Sequence, residues 1–409
     1  MILTDARRWT VPMEIRQTSA DDLATFVETF HAALGRFPEA PADATGVWWA
    51  GIEAHRGLLA TQDGRPIGTA TSCSFELTLP GGVVVPAPGV TCVGVLPTHR
   101  RQGVLTAMSR RQLADLRDQG EFLAVLLASE ATIYGRFGYG IATYSHRLTV
   151  QRHQAAFRTN TADTGSIELL TRPGATEVLE KIYDRYRRAQ PGAVSRPHRW
   201  WERGAGQPPI APADRYVAVH RSSDGLPDGY ATYALDNGTL TVDETIATND
   251  SAFTALARFV LSHDLVTQVV FKHFPPEHPL RWQFADFNAG VLGPHMDWLW
   301  VRLLDIPRAL TARGWFTDGE LVLDVDDPFL GEHNRYLLTI HNGHAECVPT
   351  DREPDLSLDV RDLGSIYLGG TTPSTLVRAG HIKAHNGNSA TRADAIFRAE
   401  RPPHCLHWF

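Results

Sequence analysis

Two stretches of this chain combine residue types that can hold an anion and move a proton. The first is Val93-Gly94-Val95-Leu96-Pro97-Thr98-His99-Arg100-Arg101-Gln102-Gly103-Val104-Leu105. An extended run ends at Pro97, which has no N–H and terminates a β-ladder. A helix is expected to begin around Arg101 to Gly103, and its first N–H groups have no partner within the helix. An anion in front of them gains from those donors and from the helix dipole. Gly103 lets a phosphate approach the backbone without a Cβ in the way. Arg100 and Arg101 add positive charge. The pattern is a pyrophosphate cradle lacking the Gly-Lys-Ser or Gly-Lys-Thr ending of a P-loop. Alone, Arg-Arg-x-Gly is more often a basic helix start facing solvent, so its surroundings decide. The second stretch, Ser129-Glu130-Ala131-Thr132-Ile133-Tyr134-Gly135-Arg136-Phe137-Gly138-Tyr139-Gly140, follows the apolar run Phe122 to Ala128.

Those surroundings form a strand–turn–helix–strand unit. Val90 to Val95 reads as a strand. Gly103 to Gln119 reads as an amphipathic helix with Leu105, Met108 and Leu116 on one face, interrupted by Gln112. Phe122 to Ala128 suits a strand buried on both sides. Upstream, Ile15 to Leu34 has a helical apolar series at Leu23, Phe26, Val27 and Phe30, and Gly57 to Glu76 is a hairpin around Asp63-Gly64. A second region repeats the order: hairpin at Tyr216 to Val219 and Gly229 to Leu235, strand at Leu240 to Ile246, helix at Ala252 to Leu261, strand at Thr267 to Phe271. It also holds a helix around Glu177 to Ala189 and Pro-rich residues 207–212. A third region has strand signals at Glu320 to Val325, Tyr336 to Ile340, Ala345 to Val348 and Leu356 to Val360. Asn342-Gly343 is a strong hairpin turn. Short helices are expected at Ile306 to Arg313, Arg361 to Tyr367, Thr372 to Ala379 and Ser389 to Phe397, which makes this part α+β. The expected division is 1–150, 151–294 and 295–409.

Composition narrows the function. A chain of 409 residues exceeds one hydrophobic core, so two to three domains are expected. The net charge of −7 argues against a general nucleic-acid surface, which needs a basic face. No stretch approaches the roughly 18 apolar residues of a membrane span, and Met1 to Asp22 has no apolar signal core. Cys73, Cys92, Cys347 and Cys405 show no CxxC spacing, so reduced thiols and a cytoplasmic setting are the default. His381 and His385, and the cluster His404, Cys405 and His407, lack a second ligand pair at zinc spacing; no metal is expected.

The constellation resembles the GNAT superfamily of acyl-CoA-dependent N-acetyltransferases. Arg100-x-x-Gly103-x matches that phosphate motif, with Leu105 departing at its last position. The chain is more closely similar to the Eis (enhanced intracellular survival) family. The stretches Pro97 to Gly103, Ser129 to Gly140 and Leu356 to Gly370 carry that likeness, and the aromatic ending fits it. The resemblance implies an α/β and α+β chain: tandem GNAT domains, the second degenerate, then a sterol-carrier-protein-like domain. The corresponding junction in the second region, Thr245-Ile246-Ala247-Thr248-Asn249-Asp250, agrees with degeneracy. It has no Arg-x-x-Gly, and Asp250 repels a pyrophosphate.

The resemblance further implies that an amine attacks the acetyl-CoA thioester directly. Acetyl-CoA is then a cosubstrate held by Val93, Gly94 and Val95, by Arg100, Arg101, Gln102, Gly103, Val104, Leu105 and Thr106, and by Ser129 and Glu130. Tyr134 is implied as the general acid and the terminal carboxylate of Phe409 as the proton acceptor. Leu406, Trp408 and Phe409 are too apolar for a solvated tail, and Pro402-Pro403 stiffens their approach. The expected acceptor is an amino group of an aminoglycoside-type polyamine, with peptide lysine or other amines as the alternative. A lipid-binding protein with a vestigial transferase is the reading from another class. His31 stands on the early helix where an acid would suit a polycation; Glu28 and Glu39 lie nearby, and Trp48 and Trp49 suggest an aromatic wall. The resemblance also implies a homohexamer.

Overall fold

The computed structural model describes residues 13–36, 49, 52–158, 165–170, 172–202 and 215–409. Glu39, Trp48 and the Pro-rich residues 207–212 lie outside them. The chain divides into two compact units, residues 1–74 with 88–121, and residues 75–87 with 122–409.

The first unit carries β1 (Glu14–Gln17), α1 (Leu23–Ala33), β2 (Leu58–Gln62), β3 (Arg65–Thr78), β4 (Val84–Val95) and α2 (Val104–Asp118), the strands in the order β1-β2-β3-β4. The turn between β2 and β3 places Asp63 at φ 52° and Gly64 at φ 71°, the left-handed pair that a tight hairpin needs. The early helix is shorter than the expected span Ile15 to Leu34, because Ile15 pairs with Ala60 in a strand; its apolar series Leu23, Phe26, Val27 and Phe30 lies within α1. Asp22 ends that strand's influence: it accepts from the Ser19 N–H at 2.8 Å and pairs with Arg16. Gln112 does not break the apolar face of α2. It is buried, and its side-chain amide donates to the Thr71 carbonyl at 3.1 Å, which satisfies the polar group the core would otherwise strand. Val104 and Met108 on the same face pack with Ala60 and Ile67.

The second unit continues with β5 (Leu123–Leu127), α3 (Ala131–Tyr134), β6 (Gly140–Ile141), β7 (Tyr144–Gln151), β8 (Ser166–Leu170), α4 (Arg172–Arg188), α5 (His198–Glu202), β9 (Tyr216–Arg221), β10 (Pro227–Asp236), β11 (Thr239–Ala247), α6 (Asp250–Leu261), β12 (Gln268–Phe274), α7 (Leu280–Gln283), β13 (Gly290–Asp297) and β14 (Leu299–Leu303). It ends with α8 (Ile306–Ala312), β15 (Gly319–Asp327), β16 (Glu332–His341), β17 (His344–Pro349), β18 (Leu356–Asp359), α9 (Val360–Tyr367), α10 (Pro373–Arg378), β19 (Lys383–Ala384) and α11 (Ser389–Phe397).

A seven-stranded sheet runs β13-β7-β12-β11-β10-β9-β8, and a five-stranded sheet runs β17-β16-β15-β18-β19. Pairing crosses both places where the sequence suggested a cut. β7, just before residue 151, pairs with β12 and β13, while β14, beyond residue 294, lies between β5 and β6. Neither exchange is visible in local periodicity, because strand partners are chosen by complementary apolar faces at long range.

The third-region elements dock tightly on this strand pair. A Cβ on Gly140 would lie 1.8 Å from the Arg361 carbonyl oxygen, and one on Gly364 would lie 2.5 Å from the Val301 carbonyl oxygen. Thus α9 approaches β6 and β14 at backbone distance. Arg302, fully buried on β14, donates to Asp327 of β15 at 2.5 Å. A Cβ on Gly138, which has φ 82°, would strike the same guanidinium at 2.7 Å. Gly138 and Gly140 of the second signature stretch therefore serve packing.

Candidate active site

The cradle lies in the first unit. Arg101 has φ 60° and Gly103 φ 86°, so the chain makes two left-handed turns before entering α2. Gly103 is the N-cap and brings no side chain to the helix end. The first helical hydrogen bond runs from the Ala107 N–H to the Gly103 carbonyl at 2.9 Å, leaving the Val104, Leu105 and Thr106 N–H groups for an outside acceptor. An added Cβ on Gly103 meets nothing within 4 Å, so the approach is open. Gly103, Thr106, Ala107, Arg110, Arg111 and Ala114 line a shallow groove of about 540 Å³ along the same helix.

The sequence motif divides its labour here. The Arg100 guanidinium donates to the Ala33 carbonyl at 2.7 Å and to the Val95 carbonyl at 3.4 Å, tying the end of α1 to the end of β4. The Gln102 amide donates back to the Thr98 carbonyl at 3.0 Å. Both shape the turn, and the exposed Arg101 is left to meet an anion. The Val104 side chain is core and Leu105 packs beside it, so these two can offer only main-chain N–H groups. Gly94 is required by α1, since its Cβ would lie 2.8 Å from the Ala33 methyl.

Sequence reasoning missed Cys92. It sits inside β4 at φ 50°, a conformation that costs a non-glycine residue about 1–3 kcal/mol. Its carbonyl accepts from the Thr69 hydroxyl at 2.9 Å. The left-handed residue stands immediately before Val93, while burial keeps alternating from Val90 to Val95. Its thiol packs with Phe26, Val27 and Trp49. No sequence signal announces a left-handed cysteine.

On the same side of the unit, Trp49 stands edge-on to His31 at 5.3 Å and to Phe30 at 6.0 Å. Burial, then Arg36, lowers the His31 pKa, so the ring is neutral at physiological pH. Glu28 is exposed. Along α1 the buried positions are aromatic or aliphatic except Thr29.

Tyr134 ends the short helix α3 in the second unit. Its ring meets Phe137 at 6.5 Å and Tyr139 at 6.1 Å, both edge-on. Burial, with a smaller contribution from the Glu130 carboxylate, pushes its pKa up to about 12. The phenol is therefore protonated and a hydrogen-bond donor near neutrality. Ser129 and Glu130 are exposed, and Glu130, though at the N-cap, makes no side-chain capping bond. The Glu130 carboxylate instead bears on the Tyr134 phenol, whose pKa it helps to raise.

The tail is packed throughout. The His404 N–H donates to the Pro191 carbonyl at 2.8 Å, and the Gln190 amide donates to the Pro402 carbonyl at 2.9 Å. Leu406 joins the core of Ile182, Tyr183, Val219, Tyr230 and Ile246. Phe409 is buried with its ring 5.0 Å from Phe75, while Trp408 is exposed. His407 lies edge-on to Phe75 at 5.3 Å and to Trp200 at 4.7 Å. Leu406 and Phe409 are buried as expected of a tail that is not solvated, whereas Trp408 faces outward.

Among the described residues no group of three or more His, Cys, Asp or Glu could hold a metal ion, and no helix is long and apolar enough to cross a membrane.

Models of the acetyltransferase (GNAT) domain match residues 14–142 and 192–303, and a sterol carrier protein domain model matches 306–406. With the sheets described above, these define the class: two GNAT domains followed by a sterol-carrier-like domain, in an acyl-CoA-dependent N-acetyltransferase. N-acetyltransferase Eis of Mycobacterium tuberculosis is 34% identical over 381 residues, covering 88% of this chain and 91% of that protein. An N-acetyltransferase of Streptomyces griseus is 35% identical over 374 residues, covering 87% and 90%. The crystal structure of Eis1 from Mycobacterium abscessus superposes with a TM-score of 0.85 at 35% identity, covering 97% of this chain and all of that one. The chain belongs to the Eis family of N-acetyltransferases. A GCN5-related N-acetyltransferase from Anabaena variabilis shares the fold at 19% identity and a TM-score of 0.83.

Proposed function

We propose that this enzyme transfers the acetyl group of acetyl-CoA to amino groups of aminoglycoside-type polyamines. The observation that carries the reading is the open start of α2, where Arg101 and Gly103 adopt left-handed conformations and no side chain caps the helix. That end suits a pyrophosphate, and the groove beside Thr106 and Arg110 suits the rest of a nucleotide-bearing thiol ester. Acetyl-CoA supplies the activated acyl carbon; the chain supplies everything else. The kinked β4 around Cys92 and Val93 offers N–H donors to the oxygen that becomes anionic during attack. A new C–N bond forms as the C–S bond breaks. The amine proton goes to the Phe409 carboxylate, directly or through water. Its unperturbed pKa near 3.5 makes it an acceptor only as the amine turns cationic in the transition state. Tyr134 serves the departing sulfur. With its pKa near 12 and a thiol near 8.5, complete proton transfer to a thiolate is uphill, so Tyr134 acts first by donating a hydrogen bond.

The acceptor class is supported by family membership and by an aromatic wall at Trp49, Phe30 and His31. The proposed assembly is a homohexamer, which native mass spectrometry tests. The decisive experiment supplies acetyl-CoA with aminoglycosides, linear polyamines and lysine peptides together, and identifies products by mass. Acetylated aminoglycoside with matching thiol release is the expected result. Acetylated peptide alone moves the assignment to lysine acetylation. No thiol release above background with any amine removes the transferase reading of this chain.

A further inference from the structure

The second GNAT domain has a buried ion pair that its lost cofactor does not need. Arg196 and Glu244 meet at 2.5 Å with both side chains excluded from solvent. Glu244 lies on β11 just past the point where pairing with β12 stops, at Val242 opposite Phe271. The Tyr230 hydroxyl donates to the same carboxylate at 2.8 Å. Burial alone would lower the Arg196 pKa, but Glu244 overrides it and the net shift is upward, so the guanidinium stays charged. Its planar face is clasped by the rings of Tyr183 at 4.0 Å and Trp201 at 5.3 Å. Such a pair is expensive to bury and is weak evidence for stability. A use for it is visible in the remaining donor: Arg196 Nε points to His407 Nδ1 at 3.2 Å.

That contact selects one state of His407. A charged guanidinium has only donors, so Nδ1 must be the unprotonated nitrogen of that ring. The ring is then wedged between Phe75 and Trp200, with Phe409 beyond it at 5.9 Å. The residues before Arg196 are fixed in turn. The Thr78 N–H donates to the Ala193 carbonyl at 2.9 Å and the Ser195 N–H to the Glu76 carbonyl at 2.8 Å, binding this segment to the distal end of β3. The carboxylate of Phe409 is two residues along from a ring held on three sides.

We infer that Arg196, Glu244 and His407 form a positioning device for the terminal carboxylate, and that the second GNAT domain has exchanged cofactor binding for holding the tail. The inference rests on the proposed role of Phe409. None of the three touches the reacting atoms; they act by fixing where the proton acceptor stands. A misplacement of about 1 Å costs on the order of a hundredfold in rate.

The test compares four proteins with the parent: the chain extended by one glycine after Phe409, His407→Leu, His407→Gln and Phe75→Leu. Turnover, acetyl-CoA affinity by calorimetry and melting temperature are read for each. His407→Leu is expected to lower kcat roughly tenfold to a hundredfold with acetyl-CoA affinity within about twofold of the parent. His407→Gln, whose amide oxygen can accept from Arg196, is expected to recover most of that loss. Phe75→Leu should show the same loss in kcat alone, and it keeps the question answerable if His407→Leu does not fold. An extended chain with full activity refutes the role of Phe409 itself. An inactive extended chain beside a fully active His407→Leu or Phe75→Leu refutes the positioning device and leaves Phe409 standing. A His407→Gln no better than His407→Leu also overturns the inference, because the accepting atom would then be irrelevant.

Discussion

The helices α2 and α6 are the same element in two copies of one fold, and their first turns are built in opposite ways. At α2 the cap is Gly103, bare and left-handed, with Arg101 in front of it. At α6 the cap is Asn249, whose side chain accepts from the Ala252 N–H at 2.9 Å. Its amide nitrogen also donates to Asp228 at 3.1 Å, and Asp250 occupies the first turn. One helix start has no side-chain cap; the other has one N–H group taken by the Asn249 side chain and carries a charge that repels anions. The comparison extends to the next strand's end. After β5 comes Tyr134, whereas after β12 the corresponding short helix α7 is Leu280-Arg281-Trp282-Gln283, so the proposed acid has no counterpart there. The second GNAT domain thus keeps the fold while capping a helix end that the first leaves bare.

The largest expected effect concerns acid. His404 is fully buried with its pKa lowered to about 3, and His273 and His278 are lowered to about 4, in each case chiefly by burial. All three belong to the second copy or the tail it holds. Their folded pKa values lie below the unfolded value of about 6.5, so the unfolded chain binds more protons below that pH. Their stabilisation is complete above pH 6.5 and drains as pH falls toward 4, by about 1.4 kcal/mol per pH unit for each histidine. Melting temperatures measured from pH 7.5 to 4.5 should fall steeply below 6.5, and His404→Gln should flatten the curve. A flat profile would break the claim that these rings are held neutral.

Tyr134→Phe should lower kcat by about 10²–10⁴, with acetyl-CoA affinity nearly unchanged; parent-like turnover would erase the contrast with α7. Calorimetry should count one acyl-CoA per chain. Two sites would show α6 open after all. Gly103→Val should weaken that binding by about tenfold or more, because φ 86° costs a side chain roughly 1–2 kcal/mol before any clash with a phosphate. The smallest effect is at the closed helix. Asn249→Ala should cost about 1 kcal/mol of stability and leave kcat/KM unaltered, read by denaturant titration and steady-state kinetics.

Much of this was legible in the sequence where local chemistry decides. The Asp63-Gly64 and Asn342-Gly343 turns, the apolar face of α2 and the Arg100-x-x-Gly103 junction all stand where spacing put them. The roles within that junction were not legible. Arg100 reads as a phosphate ligand in the motif, but the α1 carbonyl that it caps is far away in sequence. The exchange of β7 and β14 between neighbouring sheets, the kink at Cys92 and the Arg196–Glu244–His407 chain are long-range matters of packing. No window of a dozen residues contains them.

The contact between Gly140 and the Arg361 carbonyl, and that between Gly364 and the Val301 carbonyl, bear on how this architecture can change over time. A methyl group has no room at either position, and Asp327 neutralises the Arg302 charge across the same seam. Loss of the third domain would strip a buried cation of its partner and expose a face shaped for a helix backbone. The arrangement works as a ratchet: the domain could be acquired one contact at a time, but shedding it requires Gly140, Arg302 and their neighbours to change together.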